Sequence, residues 1–324
     1  MTMTATKQNG AGAAPRMTLA NITRGRRVTP IKVVVAGVEG VGKSTFAADA
    51  PSPIFLCSED GTAQLDVARF PTPRTWTDVL DALRVLKDEE HGHKTLAVDS
   101  LDWLEPIIWA HVCQAGGKKK MSEFAYGAGL ADALDHWRTF VAALSALEAK
   151  RKMNVILIAH TTVMKVEEPG QPAYDRYQMK LHKNASALMR EWVDSVLFCR
   201  HDVRVSVEAG KKFAKGKATS SGRRIMHTTW SAAYDAKNRF NLPDPMPLSW
   251  RDFEEAIRKV PTYDVPKLRA DIEAMRSKGA DAGHVDTALA WGGNDGEKLT
   301  RALSKLEDAA EQRAEEEEAS HAGA

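Results

Sequence analysis

Residues 37 to 44, Gly-Val-Glu-Gly-Val-Gly-Lys-Ser, place glycines, a lysine and a hydroxyl at the spacing G-x-x-x-x-G-K-[ST]. That spacing serves the cradling of phosphates. Glycines let the backbone curl so that N–H groups along Gly37, Val38, Glu39, Gly40, Val41, Gly42, Lys43, Ser44 and Thr45 point at phosphate oxygens. The Lys43 ammonium reaches the β- and γ-phosphates and the Ser44 hydroxyl ligates Mg²⁺. An apolar run directly before the loop and helix formers directly after it complete the strand–loop–helix context that this chemistry needs, with the helix dipole facing the anion.

A phosphate cradle alone leaves open whether the γ-phosphate is transferred, hydrolysed or only sensed. Three polar residues at the ends of other apolar runs bear on that choice. Leu96-Ala97-Val98 ends in Asp99, a carboxylate suited to holding Mg²⁺ through its water shell, or to capping a helix. Glu59 lies just past Ile54-Phe55-Leu56-Cys57, where a carboxylate can orient and partly deprotonate an attacking water, or merely sit in a solvated turn. His160 ends the run Asn154 to Ala159, where it can bond the γ-phosphate and report its loss, or cap a core strand. His91-Gly92-His93 has no further ligand at metal spacing and reads as a turn.

The elements that must position these residues follow from hydrophobic patterning. Strand-like runs at Ile31 to Ala36, Pro53 to Cys57, Thr95 to Val98, Asn154 to Ala159 and Val193 to Cys199 alternate with longer helix-like segments. The alternation predicts an α/β fold with a mainly parallel central sheet flanked by helices. Amphipathic helices are expected at Thr77 to Lys87 and Leu130 to Lys150, the latter with Leu134, Trp137, Phe140, Val141, Leu144 and Leu147 as core. Beyond Arg200 a β-hairpin is expected from His201 to Glu208 and Arg223 to Trp230, with a mobile tip over Ala209 to Gly222. A helix at Trp250 to Lys259 follows Pro243, Pro245 and Pro247.

These readings divide the chain into a flexible basic leader over 1–28, a core over 29–260 that includes a basic hairpin at 200–230, a small accessory helical region over 261–306 and an acidic tail over 307–324. The formal charge of +2 is nearly balanced and says little, whereas its distribution, basic before the first strand and acidic at Glu307 to Glu318, is informative. Cys57, Cys113 and Cys199 form no CxxC pair, which predicts buried free thiols in a reducing cytosol. No apolar stretch approaches the ~18 residues of a membrane span, so a cytoplasmic protein without membrane association is expected.

Taken in order, the phosphate loop, Phe-Leu-Cys-Ser-Glu59-Asp-Gly, Ala-Val-Asp99-Ser, Val-Ile-Leu-Ile-Ala-His160 and Ala-Lys237-Asn-Arg239 resemble the phage-encoded RecA-like P-loop ATPases, the group that includes single-strand annealing and recombination proteins. The resemblance covers roughly residues 30 to 255. It implies ATP and Mg²⁺ as cofactors and a core whose sensor strand lies between the phosphate-loop strand and the strand ending in Asp99. It also implies a glutamate base at Glu59 and, at Lys237 and Arg239, a basic pair projected across a subunit interface onto a neighbour's γ-phosphate, hence a homo-oligomer. His160 stands where better-known members have glutamine.

Two segments fit single-stranded DNA. Arg204, Lys211, Lys212, Lys215, Lys217, Arg223 and Arg224 make a basic arm that can track a phosphate backbone without reading bases. The loop Lys165 to Lys183, which the resemblance places at a DNA-binding position, mixes Tyr174 and Tyr177 with Arg176 and Lys180. The leading expectation is therefore a DNA-stimulated ATPase acting in phage recombination by annealing or strand exchange. The alternatives are a replication accessory or helicase-loader-like binding module, with a single-strand-binding or replication protein as partner, and a P-loop kinase, for which no arginine-rich lid is evident.

Overall fold

The computed structural model describes residues 17–19, 22, 28–59, 61–206, 217–259, 263–293 and 295–322; the side chains of 204–206, 217–218 and 314–322 lie outside that description. Elements run β1 (Lys32–Gly37), α1 (Lys43–Ala48), β2 (Pro53–Cys57), β3 (Ala68–Arg69), α2 (Trp76–Asp88), β4 (Thr95–Asp99), α3 (Leu101–Ala115), α4 (Ala128–Arg151), β5 (Asn154–Val166) and β6 (Tyr174–Met179). They continue with α5 (Lys183–Trp192), β7 (Ser195–Ser206), β8 (Lys217–His227), β9 (Lys237–Asn238), β10 (Met246–Pro247), α6 (Trp250–Arg258), α7 (Val265–Ala274), α8 (Ala282–Gly292) and α9 (Gly296–Ala322). Two compact units result, one over Thr29–Val260 and one that includes Pro261–Ala324.

The first unit is built on one sheet in the order β10-β8-β7-β1-β5-β4-β2-β3, parallel from β7 through β3. The fold is α/β with a mainly parallel central sheet, and β5, the strand that leads to His160, lies between β1 and β4, as the RecA-type arrangement implied. Its central strands read as continuous apolar runs because both faces are covered. Successive residues serve opposite cores: Val34, Ala36, Leu96, Val98, Val155 and Leu157 face the α2–α5 layer. Val33, Val35, Ala97, Ile156 and Ile158 face α1 and α6.

Local chemistry sets the covering helices. Thr75 accepts from the Asp78 N–H while the Asp78 carboxylate accepts from Thr75, a reciprocal cap that starts α2. On the opposite layer, Trp250 and Phe253 of α6 meet Phe46 of α1 edge-on, with ring centroids 5.5 and 5.6 Å away. Burying three such rings stabilises by about 1.5–3 kcal/mol each and braces the short helix that follows the phosphate loop.

Three expectations need correction. The segment Lys165 to Lys183 is only partly a loop: β5 continues to Val166 and pairs antiparallel with β6, from Thr161 opposite Met179 to Val166 opposite Tyr174, leaving 167–173 as the irregular connection. The last core strand and the first hairpin strand are one continuous β7, with an irregularity between His201 and Val203. Its partner β8 begins at Lys217, inside what read as the hairpin tip. Residues 207–216, with Lys211, Lys212 and Lys215, lie outside the described residues.

The second unit holds the helices α7, α8 and α9 around Val265, Ile272, Met275, Val285, Leu299 and Leu306. Asp264 and Asp281 cap α7 and α8 by accepting backbone N–H groups. The acidic stretch from Glu307 forms part of α9, whose backbone is helical to Ala322. Among the described residues, no helix is long and apolar enough to cross a membrane.

Candidate nucleotide site

Strand register, more than any single bond, assembles the site. Gly37 at the end of β1 stands level with His160 of β5 on one side and Cys199 of β7 on the other. Cys57 of β2 stands level with Asp99 of β4, so Glu59 leaves the sheet at the same edge. This is the carboxyl edge, where ligands bind in open α/β sheets. Only glycine fits at 37, because a Cβ there would lie 2.3 Å from the Cys199 carbonyl oxygen.

The loop between β1 and α1 takes left-handed backbone at Gly40 (φ 70°) and Gly42 (φ 102°), which turns its N–H groups inward. Lys43 is buried, and its Nζ donates to the carbonyls of Gly37 (3.1 Å) and Val38 (2.8 Å). Burial pulls its ammonium below the ordinary lysine range, against the attraction of Asp99 and Asp102. Ser44 Oγ donates to Asp99 Oδ2 at 2.6 Å. Burial raises the Asp99 carboxyl, partly offset by the Ser44 hydroxyl and Lys43. A hydroxyl and a buried carboxylate side by side form the hard oxygen set that Mg²⁺ takes, and left-handed glycines around a buried ammonium form the cradle a polyphosphate takes. The residues present fit both groups.

Glu59, Asp99 and His160 line one cavity with the loop residues Glu39, Gly40, Gly42, Lys43, Ser44 and Thr45, about 460 Å³ in volume. Burial raises the Glu59 carboxyl above the ordinary glutamate value, while His160 opposes the shift. The His160 ring nitrogen Nδ1 and its backbone N–H both bond the Asp102 carboxylate, each at 2.9 Å. That bond raises the imidazole's pKa, burial opposing it, and leaves Nε2 as the ring nitrogen available to the cavity. For Asp102, burial would raise the carboxyl, but the two His160 bonds outweigh it and hold it low.

Sequence reasoning missed Asp102. Its signal was a second acid three residues after Asp99, in the first turn of α3, where an acid ordinarily serves the helix dipole. Here it fixes the ring and backbone of His160 on strand β5.

Other candidates are placed elsewhere. Lys237 Nζ donates to the carbonyls of Arg190 (2.7 Å), Glu191 (3.1 Å) and Val193 (2.6 Å), closing the C-terminus of α5. Arg239 pairs with Asp194 at 3.4 Å. Arg176 is buried, paired with Asp235 at 2.7 Å and set over the Trp230 ring at 4.9 Å, so it is part of the packing and not an open phosphate contact. Arg223 is exposed and pairs with Asp202 at 2.8 Å, and Lys180 is exposed. Arg204 and Lys217 stand near the outer end of the β7–β8 ladder. Arg224 joins neither group: it lines the phosphate cavity.

A family model for the AAA domain matches residues 29–240. The chain belongs to the AAA domain family. The chain is an ATPase in the general sense that this membership carries. The AAA domain takes in every strand that brings a residue to the cavity, from β1 to β8, and ends before α6. Among solved structures, the crystal structure of the RadB recombinase is similar over 61% of this chain and 87% of that chain, at 13% identity and a TM-score of 0.35. No curated protein matches the sequence.

Proposed function

We propose that this AAA domain is a Mg²⁺-dependent ATPase that acts on single-stranded DNA in recombination of the phage-encoded kind, by annealing or strand exchange. The observation that carries the hydrolytic half is the convergence of Lys43, the Ser44–Asp99 pair, Glu59 and His160 on one cavity. Bound Mg²⁺ would neutralise charge on the β- and γ-phosphates. Around it, Lys43 and the loop amides hold phosphate, Ser44 and Asp99 hold the metal, Glu59 orients water and accepts its proton, and His160 Nε2 senses the γ-phosphate. The DNA half rests on the basic hairpin and on the exposed side chains of Trp230, Tyr177 and Lys180.

A loader-like module, in which hydrolysis is slow and association is the function, is favoured by one observation. Lys237 is bonded to three carbonyls of its own chain, and Arg239, though exposed, pairs with Asp194 of its own chain.

Steady-state ATP turnover with ssDNA, dsDNA and no DNA tests the proposal on the intact chain, Lys43→Ala and Glu59→Gln. Lys43→Ala is expected to lose nucleotide binding. Glu59→Gln should keep binding and lose turnover by about 10²- to 10⁴-fold, the usual worth of a general base. Equal turnover with and without ssDNA would refute the recombination reading and leave the loader-like one.

A further inference from the structure

Arg224 belongs to the basic hairpin by sequence and to the nucleotide cavity by position. It stands on β8 opposite His201, and its carbonyl accepts the Leu248 N–H at 3.1 Å, so its place is fixed by pairing on both sides. Side chains alternate along a strand. Arg223 accordingly turns to Asp202, while Arg224 turns to the phosphate loop. The contact is close: a Cβ added to Gly42 would lie 2.4 Å from Arg224 Nη1 and 3.2 Å from its Cζ. Gly42 is the last glycine before Lys43, at the point where the loop enters α1.

Electrostatics gives that position a purpose. The cavity is lined by the acids Glu39, Glu59 and Asp99, against the cations Lys43 and Arg224 and the imidazole of His160. Lys43 shares its ammonium with two carbonyls of its own loop. With His160 neutral the lining sets three acids against two cations, and against one if Arg224 is taken away; Arg224 thus offsets part of the negative charge and presents to the cradle a planar guanidinium able to take phosphate in a two-pronged bond.

We infer that Arg224 is a phosphate-binding residue of the nucleotide site, supplied in cis by the hairpin strand, and not a DNA contact. The inference rests on the nucleotide-site reading and adds a second cation to it. It also makes β8 the element through which the hairpin and the nucleotide site share one residue.

Equilibrium titration of the full chain with a fluorescent ATP analogue, with ADP as competitor and with labelled ssDNA tests the inference on wild type, Arg224→Ala, Arg224→Lys, Arg223→Ala and Lys43→Ala. Arg224→Ala is expected to weaken the ATP analogue by about 10- to 100-fold, the worth of a charged hydrogen bond. Arg224→Lys should recover part of the loss, and Arg223→Ala should bind the analogue like wild type. The ssDNA affinity of Arg224→Ala should stay within about twofold of wild type, since its guanidinium faces the loop and not a DNA backbone. Arg224→Gln replaces the alanine variant should the latter melt early. Unchanged analogue affinity in Arg224→Ala, with Lys43→Ala impaired, overturns the inference alone. Equal binding by wild type and Lys43→Ala overturns the nucleotide-site reading and the inference with it.

Discussion

The Asp102–His160 pair makes a sharp, pH-resolved prediction for Asp102→Asn. In the folded protein the carboxylate accepts from His160 Nδ1 and from its backbone N–H, both at 2.9 Å. Asparagine keeps one oxygen for the backbone N–H and turns an amide donor toward Nδ1. A bond between charged partners contributes about 1.5–3 kcal/mol and a neutral one about 0.5–1.5. The imidazole side chain is 13% exposed and the Asp102 carboxylate 2%, so solvent screens the pair little, and the cost of the substitution should be about 1–1.5 kcal/mol larger where His160 is charged than where it is neutral. The sign follows from the direction of the shifts. His160 is raised in the fold, so its contribution is complete below the unfolded histidine value near ~6.5 and is lost as pH rises through the folded value. Asp102 is lowered, so its contribution is present above the unfolded value near ~3.9 and is lost as pH falls through the folded one. Urea unfolding at pH 5.5 and pH 9, with ¹⁵N-imidazole NMR assigned through His160→Gln, reads both the energy and the tautomer. An equal cost at the two pH values, together with an unmoved His160 titration midpoint, would refute the reasoning.

Gly42→Ala meets both a left-handed backbone (φ 102°) and the Arg224 guanidinium, and should cost about 1–3 kcal/mol. Gly40→Ala (φ 70°) has open space and should cost less; thermal melts and nucleotide titration compare them. Glu105, buried, accepts the His182 N–H and has its carboxyl pushed up to about 7 by burial. Keeping this group protonated in the fold therefore costs stability progressively as pH rises from about 4.5 to about 7 and in full above that, and Glu105→Gln should stabilise by about 1–2 kcal/mol at pH 8, after allowance for solvent screening. That advantage should shrink through pH 7 and vanish below about 4.5, as denaturant titrations across pH would show. Lys237→Met strips the donor from three carbonyls at the end of α5 and should cost about 1–2 kcal/mol at any protein concentration. An interface role would instead appear in sedimentation and turnover as a concentration-dependent loss.

Residues buried on both faces were legible from the sequence. Ile31 to Ala36, Pro53 to Cys57 and Asn154 to Ala159 are continuous apolar runs, and each ends in the polar residue or loop that the site uses. Strands that leave the core were not. Tyr174 to Met179 and Thr161 to Val166 are largely exposed and mix polar with apolar residues, beside Pro169, Gly170 and Pro172, so their composition does not mark a core strand although each completes the other's hydrogen bonds. Lys217 to Ser220 fails for the same reason, being short on apolar residues yet paired to Val203–Ser206. Charge was the least readable property. Arg176, Arg223 and Arg224 look alike in sequence as cations of basic segments, and only the fold shows that one is buried against Asp235, one pairs across the hairpin and one reaches Gly42.

The unbroken length of β5 has a mechanical consequence. A sensor followed by a slack loop can shift without moving anything distant, because the loop absorbs the displacement. Here His160 is an interior residue of a single strand, gripped by β1 below it and by the β6 ladder immediately above it. Outward, β6 is tied on: the Tyr177 N–H donates to the Ala233 carbonyl at 2.8 Å, and its ring packs 5.2 Å from that of Phe198 on β7. The ribbon is a stiff rod with no joint at its root. If His160 senses the γ-phosphate as proposed, loss of that phosphate would be delivered as a tilt of the whole ribbon, and amide hydrogen exchange across Thr161–Val166 and Tyr174–Met179 should rise and fall together with the nucleotide state.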